Sequence, residues 1–173
     1  PDGKWVAYAK DYNLFIKSNE DEKEYQLSTN GIKGFENASW YDWFDKMEGE
    51  NGERPKRFVV NWSEDSKWIT APILDMRTAE KMYLLDYSID SLYRPKLLSY
   101  CRRYTSDTTI VHIAPVFYNI DTKKAVKTSL PRSTHINSVG IEWLKKSGQL
   151  LASYSERGYQ KEILKHIDLH TGK

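Results

Sequence analysis

The chain has 173 residues, with 26 Lys and Arg against 24 Asp and Glu, so its formal net charge is +2. Hydrophobic residues make up 39% and charged residues 29%, a composition that excludes a disordered tail. No apolar run approaches the roughly 20 residues of a membrane-spanning helix, and the near-neutral charge favours no nucleic-acid partner. We therefore expect a globular chain with no membrane span and no nucleic-acid function.

The first thirty residues predict three short antiparallel strands. Apolar stretches at 5–9, 14–17 and 25–28 are separated by polar turns at 11–13 and 20–23. Short strands joined by tight polar turns form an antiparallel meander.

One turn-and-strand pattern occurs three times. The copies are Asp2-Gly3-Lys4-Trp5, Asp65-Ser66-Lys67-Trp68 and Ser147-Gly148-Gln149-Leu150, and Trp62 and Trp143 precede the last two. Each copy predicts a hairpin in which a polar turn returns an apolar strand beside the preceding one, and a single such sheet cannot bury both of its faces. Repetition of this unit is typical of propellers, so we predict an all-β fold, a partial β-propeller of antiparallel sheets.

The intervals between successive copies are longer than the roughly 40–50 residues of a typical propeller blade, so each interval must contain an insertion. The first is the loop 35–56 and the second is the arm 85–106, and both are rich in aromatic residues. Binding and catalytic residues are often located in such insertions. The segment 161–169 has helical propensity, but its place in the repeat predicts a strand.

Several motifs follow one another in a distinctive order. They are Trp40-Tyr41-Asp42-Trp43, Trp62-Ser63-Glu64-Asp65-Ser66-Lys67, Asp86-Tyr87-Ser88, Tyr93-Arg94-Pro95-Lys96 and Ile141-Glu142-Trp143-Leu144. In this order the chain resembles the N-terminal propeller of dipeptidyl peptidase IV-like enzymes, a branch of the prolyl-oligopeptidase-type serine peptidases. The resemblance implies an eight-bladed parent, of which this chain supplies about two and a half blades. It also implies a C-terminal α/β-hydrolase domain that removes dipeptides from N-termini, typically after Pro or Ala.

No catalytic residue is expected within the chain itself. The G-x-S-x-G elbow of an α/β-hydrolase nucleophile is missing from the sequence. The histidines, His112, His135, His166 and His170, have no evident Ser and Asp partners, and the spacing of the last two suits a metal only on a helix. We expect no metal and no cofactor, and we expect that the chain alone is not an enzyme. Its opening at Pro1, without an initiator Met or signal peptide, suggests a portion of a longer protein.

The resemblance places substrate recognition in the first insertion, 35–56, near the substrate cavity. In the family, two adjacent glutamates after a Trp hold the substrate's free α-amino group, because an ammonium carries a charge and three donors. This adjacent pair is missing from the corresponding stretch here. Asp45, Glu48 and Glu50 are the candidates for substrate binding, and the alternative is that they are solvated loop charges.

The second insertion, 85–106, resembles the arm that pairs with a second subunit. Tyr93, Tyr100 and Arg102 are the candidate interface residues, since Tyr and Arg are enriched in interface hot spots. The alternative is that the tyrosines pack on their own blade. Cys101, the sole cysteine, excludes an intrachain disulfide, and we expect a thiol on the arm.

The expected function is therefore that of the propeller portion of a serine exopeptidase, which gates the cavity and helps recognise the substrate N-terminus. The expected partners are a peptide substrate, the parent's C-terminal hydrolase domain and a second copy in a homodimer. The resemblance suggests a periplasmic or other extracytoplasmic location in a bacterium. Two alternatives stay open: a non-catalytic propeller that serves as a scaffold for protein interaction, and a parent whose catalytic or amine-binding residues have decayed.

Overall fold

A computed structural model describes residues 1–40, 57–88, 94–101, 108–134, 138–156 and 158–173. This part of the chain consists of strands and turns. The strands are β1 Trp5–Lys10, β2 Asn13–Ser18, β3 Glu24–Gln26, β4 Phe35–Asn37, β5 Asn61–Trp62, β6 Trp68–Asp75, β7 Lys81–Asp86, β8 Lys96–Cys101, β9 His112–Asn119, β10 Lys124–Val126, β11 Ser133–Thr134, β12 Gly140–Trp143, β13 Gln149–Ser155 and β14 Glu162–Asp168. The predicted all-β class is confirmed.

The strands form four antiparallel sheets. The first sheet is the meander β1-β2-β3, as predicted, and the third has the order β12-β13-β14. Between them, the central sheet has the order β10-β9-β6-β4, with β5 also paired to β6 and β11 to β9. The fourth is the two-stranded ribbon β7-β8, which we call the arm. The segment 161–169 contains strand β14, so its assignment to a strand is confirmed.

The three copies of the repeated turn share a left-handed residue. Gly3, Ser66 and Gly148 have φ values of 73°, 57° and 72°. The first two copies are also linked, because the Asp2 backbone N–H donates to the Ser66 hydroxyl at 3.0 Å. The sequence repeat therefore corresponds to a structural repeat whose turns lie side by side.

The central sheet is buried on both faces. Adjacent residues of β6 point in opposite directions: Ile69 packs with Leu14 and Ile16 of the first sheet, whereas Trp68 packs with Leu150 of the third. Side chains alternate across a strand, so the apolar run of β6 supplies both cores. The three sheets are thus stacked face to face, as blades of a propeller are.

Two prolines lie opposite each other in the middle of the central sheet, where Pro72 of β6 pairs with Pro115 of β9. On the outer side of Pro72, β4 pairs only as far as Ile73, and β5 begins again at Thr70. On the outer side of Pro115, β10 and β11 leave a similar gap. A proline has no N–H to donate to a neighbouring strand, so both flanking strands are interrupted beside a proline.

Among the described residues, no helix has the length and apolar character required to cross a bilayer.

Candidate functional site

The first insertion leaves and re-enters the fold through a narrow stem, formed by residues 38–40 and 57–59. Ser39 and Phe58 form an antiparallel bridge. The Trp40 N–H donates to the Arg57 carbonyl at 3.3 Å, and the Val59 N–H donates to the Ala38 carbonyl at 2.9 Å. The described part of the predicted insertion 35–56 begins as strand β4, so the chain departs from the central sheet only after Asn37.

Asn37 and Ala38 set the direction of this departure. The Asn37 side chain, only 2% exposed, donates to the Tyr12 carbonyl at 3.2 Å and to Asn30 Oδ1 at 3.1 Å, which ties β4 to the first sheet. Ala38 is also buried and has a φ of 54°, a left-handed conformation that L-residues with a Cβ rarely adopt. This single residue turns the chain out of the sheet and into the stem.

A cavity of about 370 Å³ opens between the stem and β1. Its polar wall includes Glu36, whose buried carboxylate accepts hydrogen bonds from the Ser39 hydroxyl at 3.1 Å and the Gly34 N–H at 3.3 Å. Arg57 and Asp11 also line it. Carboxylates in such a cavity can accept hydrogen bonds from a cationic donor. The sequence pattern does not identify Glu36 as a site residue, because a single acidic residue in a short strand cannot be distinguished from an ordinary surface carboxylate.

A smaller, mostly apolar cleft of about 170 Å³ lies on the other side of the stem. Trp40 at the stem, the proline pair of the central sheet and Ile141 of the third sheet line it. The stem therefore has a polar cavity on one side and an apolar cleft on the other.

The predicted substrate-binding residues Asp45, Glu48 and Glu50 lie outside the described residues, so the structure shows neither their positions nor their contacts. They remain a prediction. The described residues contribute the stem that carries the segment 41–56 and the cavity beside it.

The arm presents an apolar surface to solvent. Strands β7 and β8 pair with Leu84 opposite Leu98. Tyr83 is 63% exposed and Tyr87 is 74% exposed, and Leu84, Leu85 and Leu97 are exposed as well. The first strand begins at Lys81, earlier than the predicted start of the arm at residue 85.

Of the predicted interface residues, Tyr100 lies on β8 opposite Met82 and is half-buried. Tyr93 and Arg102 lie outside the described residues. Cys101 is a buried thiol, which packs with Leu74 and Ile113 of the central sheet. The base of the arm is therefore anchored in the core, while its strands extend into solvent.

The histidines do not form a ligand set among the described residues. His166 lies on β14 and His170 in the turn after it, so the helix that their spacing would need for metal binding does not form. His112 lies at the start of β9, and His135 falls outside the described residues. In the part of the chain that the structure describes, no group of three or more His, Cys, Asp and Glu residues is arranged to hold a metal.

Comparison of the sequence with known protein families identifies the family to which this fold belongs. The sequence profile described as "Dipeptidyl peptidase IV (DPP IV) N-terminal region" matches residues 1–173, the whole chain. The chain belongs to this family. The N-terminal region of dipeptidyl peptidase IV is a β-propeller domain, so the four antiparallel sheets are part of a propeller; the number of blades stays a prediction.

Two solved structures share the fold of this dipeptidyl peptidase IV N-terminal region. Dipeptidyl peptidase 4 of Porphyromonas gingivalis matches with a TM-score of 0.73 and 20% identity, over 100% of this chain and 24% of that chain. A putative dipeptidyl aminopeptidase IV of Bacteroides ovatus matches with a TM-score of 0.65 and 18% identity, over 97% and 21% of the two chains. No curated relative matches the sequence significantly. The chain thus spans about a quarter of the length of the solved proteins that it resembles.

Proposed function

We propose that the chain is the propeller portion of a serine-type dipeptidyl peptidase, in which it gates the substrate cavity and helps recognise the substrate's free N-terminus. Hydrolysis is performed by an α/β-hydrolase domain outside the chain. The observation that carries this proposal is the family match over all 173 residues. The enzyme acts outside the bacterial cytoplasm, which fractionation of cells that express the parent protein would check.

The stem supports the recognition role. Its bridge between Ser39 and Phe58 joins the described residues on either side of the segment 41–56, beside a cavity whose lining includes the carboxylates of Glu36 and Asp11 as well as Arg57. Glu48 and Glu50 on that segment supply the carboxylates that bind the substrate ammonium. A free N-terminus differs from an internal amide by its positive charge and its three N–H donors, so carboxylates at this point select exopeptidase substrates.

The test uses the parent protein with a chromogenic dipeptide reporter of the Xaa-Pro type and its N-acetylated form. A double substitution, Glu48→Gln with Glu50→Gln, removes the charges and keeps the side-chain shapes. Hydrogen bonds to charged groups contribute about 1.5–3 kcal/mol, so kcat/KM for the free-amine reporter is expected to fall about 10- to 100-fold. The matched control is Glu64→Gln on an exposed turn, which leaves kcat/KM unchanged.

Two results would contradict the proposal. If the double variant keeps the full preference for the free amine over the acetylated reporter, these two acids do not recognise the N-terminus. If the parent protein cleaves neither reporter, the chain is part of a non-catalytic propeller that serves as a scaffold for protein interaction.

The exposed apolar surface of the arm favours a second role, dimerisation of the parent. Aromatic side chains as exposed as Tyr83 and Tyr87 are typical of surfaces that become covered by a partner. A second copy is the proposed partner. The variant Tyr83→Ser with Tyr87→Ser is expected to shift the parent from dimer to monomer in sedimentation velocity. The control Tyr159→Ser, which changes a similarly exposed tyrosine in the turn between β13 and β14, is not. An unchanged dimer in the arm variant would refute this role.

A further inference from the structure

Two arginines share one buried carboxylate at the end of β6. Arg77 binds Asp75 through two parallel hydrogen bonds, from Nε to Oδ1 and from Nη2 to Oδ2, each 2.9 Å long. Arg132, which lies 57 positions after Asp75 in the chain, donates from Nη2 to the same Oδ2. Because both guanidinium groups bond to one oxygen, their Nη2 atoms lie within about 6 Å of each other.

Both guanidinium groups keep donors for another ligand. A guanidinium carries five N–H groups. Arg77 donates two of them to Asp75, and Arg132 donates one, while the side chains are 49% and 56% exposed. Among the described residues, no other carboxylate lies within salt-bridge distance of either group. Several N–H groups of each arginine therefore reach solvent.

The cluster also carries a net positive charge. Two guanidinium cations face one carboxylate, because hydrogen bonds from Arg77 lower the pKa of Asp75 to about 2 and keep it ionised. His112, which pairs with Asp75 across the sheet, adds no charge at neutral pH, since burial and Arg132 lower its pKa. The cluster thus has a charge of +1 that no described residue neutralises.

The geometry holds the two guanidinium groups in place before any ligand binds. The Arg77 guanidinium stacks on the Phe35 ring, with Arg77 Cζ 4.2 Å from the centroid of the ring. Asp75 orients its Nε and Nη2 edge through the paired hydrogen bonds, and the same carboxylate fixes one end of Arg132. Two arginines held side by side favour an oxyanion that can accept from both, because guanidinium groups match phosphate geometry with paired hydrogen bonds.

We propose that Arg77 and Arg132 form a binding site for a tetrahedral oxyanion, phosphate or sulfate, at the end of β6. The bound anion accepts hydrogen bonds from both arginines and bridges the end of β6 to the segment before β11. It lies at the base of the arm, close to where β6 gives way to β7. The site is independent of the proposed peptidase function, since it uses none of the substrate-binding candidates.

The first measurement needs no substitution. Phosphate, and separately sulfate, is titrated into the 173-residue chain at neutral pH and constant ionic strength, with chloride as the balancing salt. The Nε–Hε resonances of Arg77 and Arg132 are followed by ¹H–¹⁵N NMR. The expected result is a saturable shift of these two resonances with either tetrahedral anion and none with chloride. Shifts that do not saturate, or that chloride reproduces, would overturn the proposal.

The second measurement uses matched charge variants. Arg132→Gln removes one guanidinium and leaves the pairing of Asp75 with Arg77, and Lys124→Gln removes the same charge from an exposed position on β10. Phosphate is expected to bind Arg132→Gln at least tenfold more weakly than it binds wild type and Lys124→Gln. Equal weakening in both variants would show that the chain attracts anions only through its overall charge, and the proposed site would be wrong.

Discussion

The carboxylate of Asp75 is expected to contribute measurably to stability, and Asp75→Asn tests this contribution. Hydrogen bonds from Arg77 lower the pKa of Asp75 to about 2 from its ordinary value of 3.8. One pKa unit corresponds to about 1.4 kcal/mol, so the full shift amounts to roughly 2–3 kcal/mol. Both arginines are half-exposed, and water screens them, which reduces the expected loss in Asp75→Asn to about 1–2 kcal/mol at neutral pH.

The stabilisation by Asp75 is expected to decrease as the pH falls. Because the folded pKa is lowered, the stabilisation is complete above pH 3.8 and is lost as the pH falls towards 2. Urea unfolding of wild type and Asp75→Asn, followed by circular dichroism at several pH values, measures the difference. The stability difference between the two proteins should shrink from about pH 4 and be nearly absent at pH 2, whereas Glu64→Gln should match wild type throughout. A difference that stays constant down to pH 2 would show that Asp75 stabilises the fold by some means other than its charge.

Two further predictions concern packing and backbone conformation, and both are measured by urea unfolding. The Phe117 side chain has no exposed surface and packs edge-on against the Trp143 ring, with 6.0 Å between the ring centroids, so Phe117→Ala should lower the free energy of unfolding by about 3–5 kcal/mol. A loss below about 1 kcal/mol would contradict burial of the central sheet on both faces. Ala38→Val places a β-branched residue at a φ of 54° and should lower the free energy of unfolding by about 2 kcal/mol or more, whereas Ala38→Gly should stay within about 1 kcal/mol of wild type. Equal effects of the two substitutions would argue against the left-handed conformation.

The repeat and the strands could be predicted from local sequence. The turns that contain Gly3, Ser66 and Gly148 follow from polar turn residues ahead of an apolar strand, whereas their left-handed φ values are seen only in the structure. Strand β14 follows from its place in the repeat, although its composition also suited a helix. In each case the signal lies within a few adjacent residues, where alternation and turn chemistry act directly.

The arrangement of distant segments could not be predicted in this way. Strand β4 has three residues and β5 has two, too few for any period to show, and only pairing with β6 makes them strands. The pairing of Arg132 with Asp75 joins positions 57 residues apart, and nothing local to either one indicates it. Of the candidate site, the sequence identified the insertion, whereas the stem and the buried carboxylate of Glu36 depend on how β4 meets the first sheet.

The proline pair has a consequence for how this propeller region can change over time. Because the strand beside Pro72 is already divided between β4 and β5, the described chain leaves the sheet after Asn37 and returns to it at Asn61, on either side of the segment 41–56. Lengthening a closed loop costs little free energy, about 0.6 kcal/mol for each doubling of its length. Relatives can therefore be expected to vary this segment freely in length and charge, which makes it a natural place for substrate preference to diverge while the blade around it is kept.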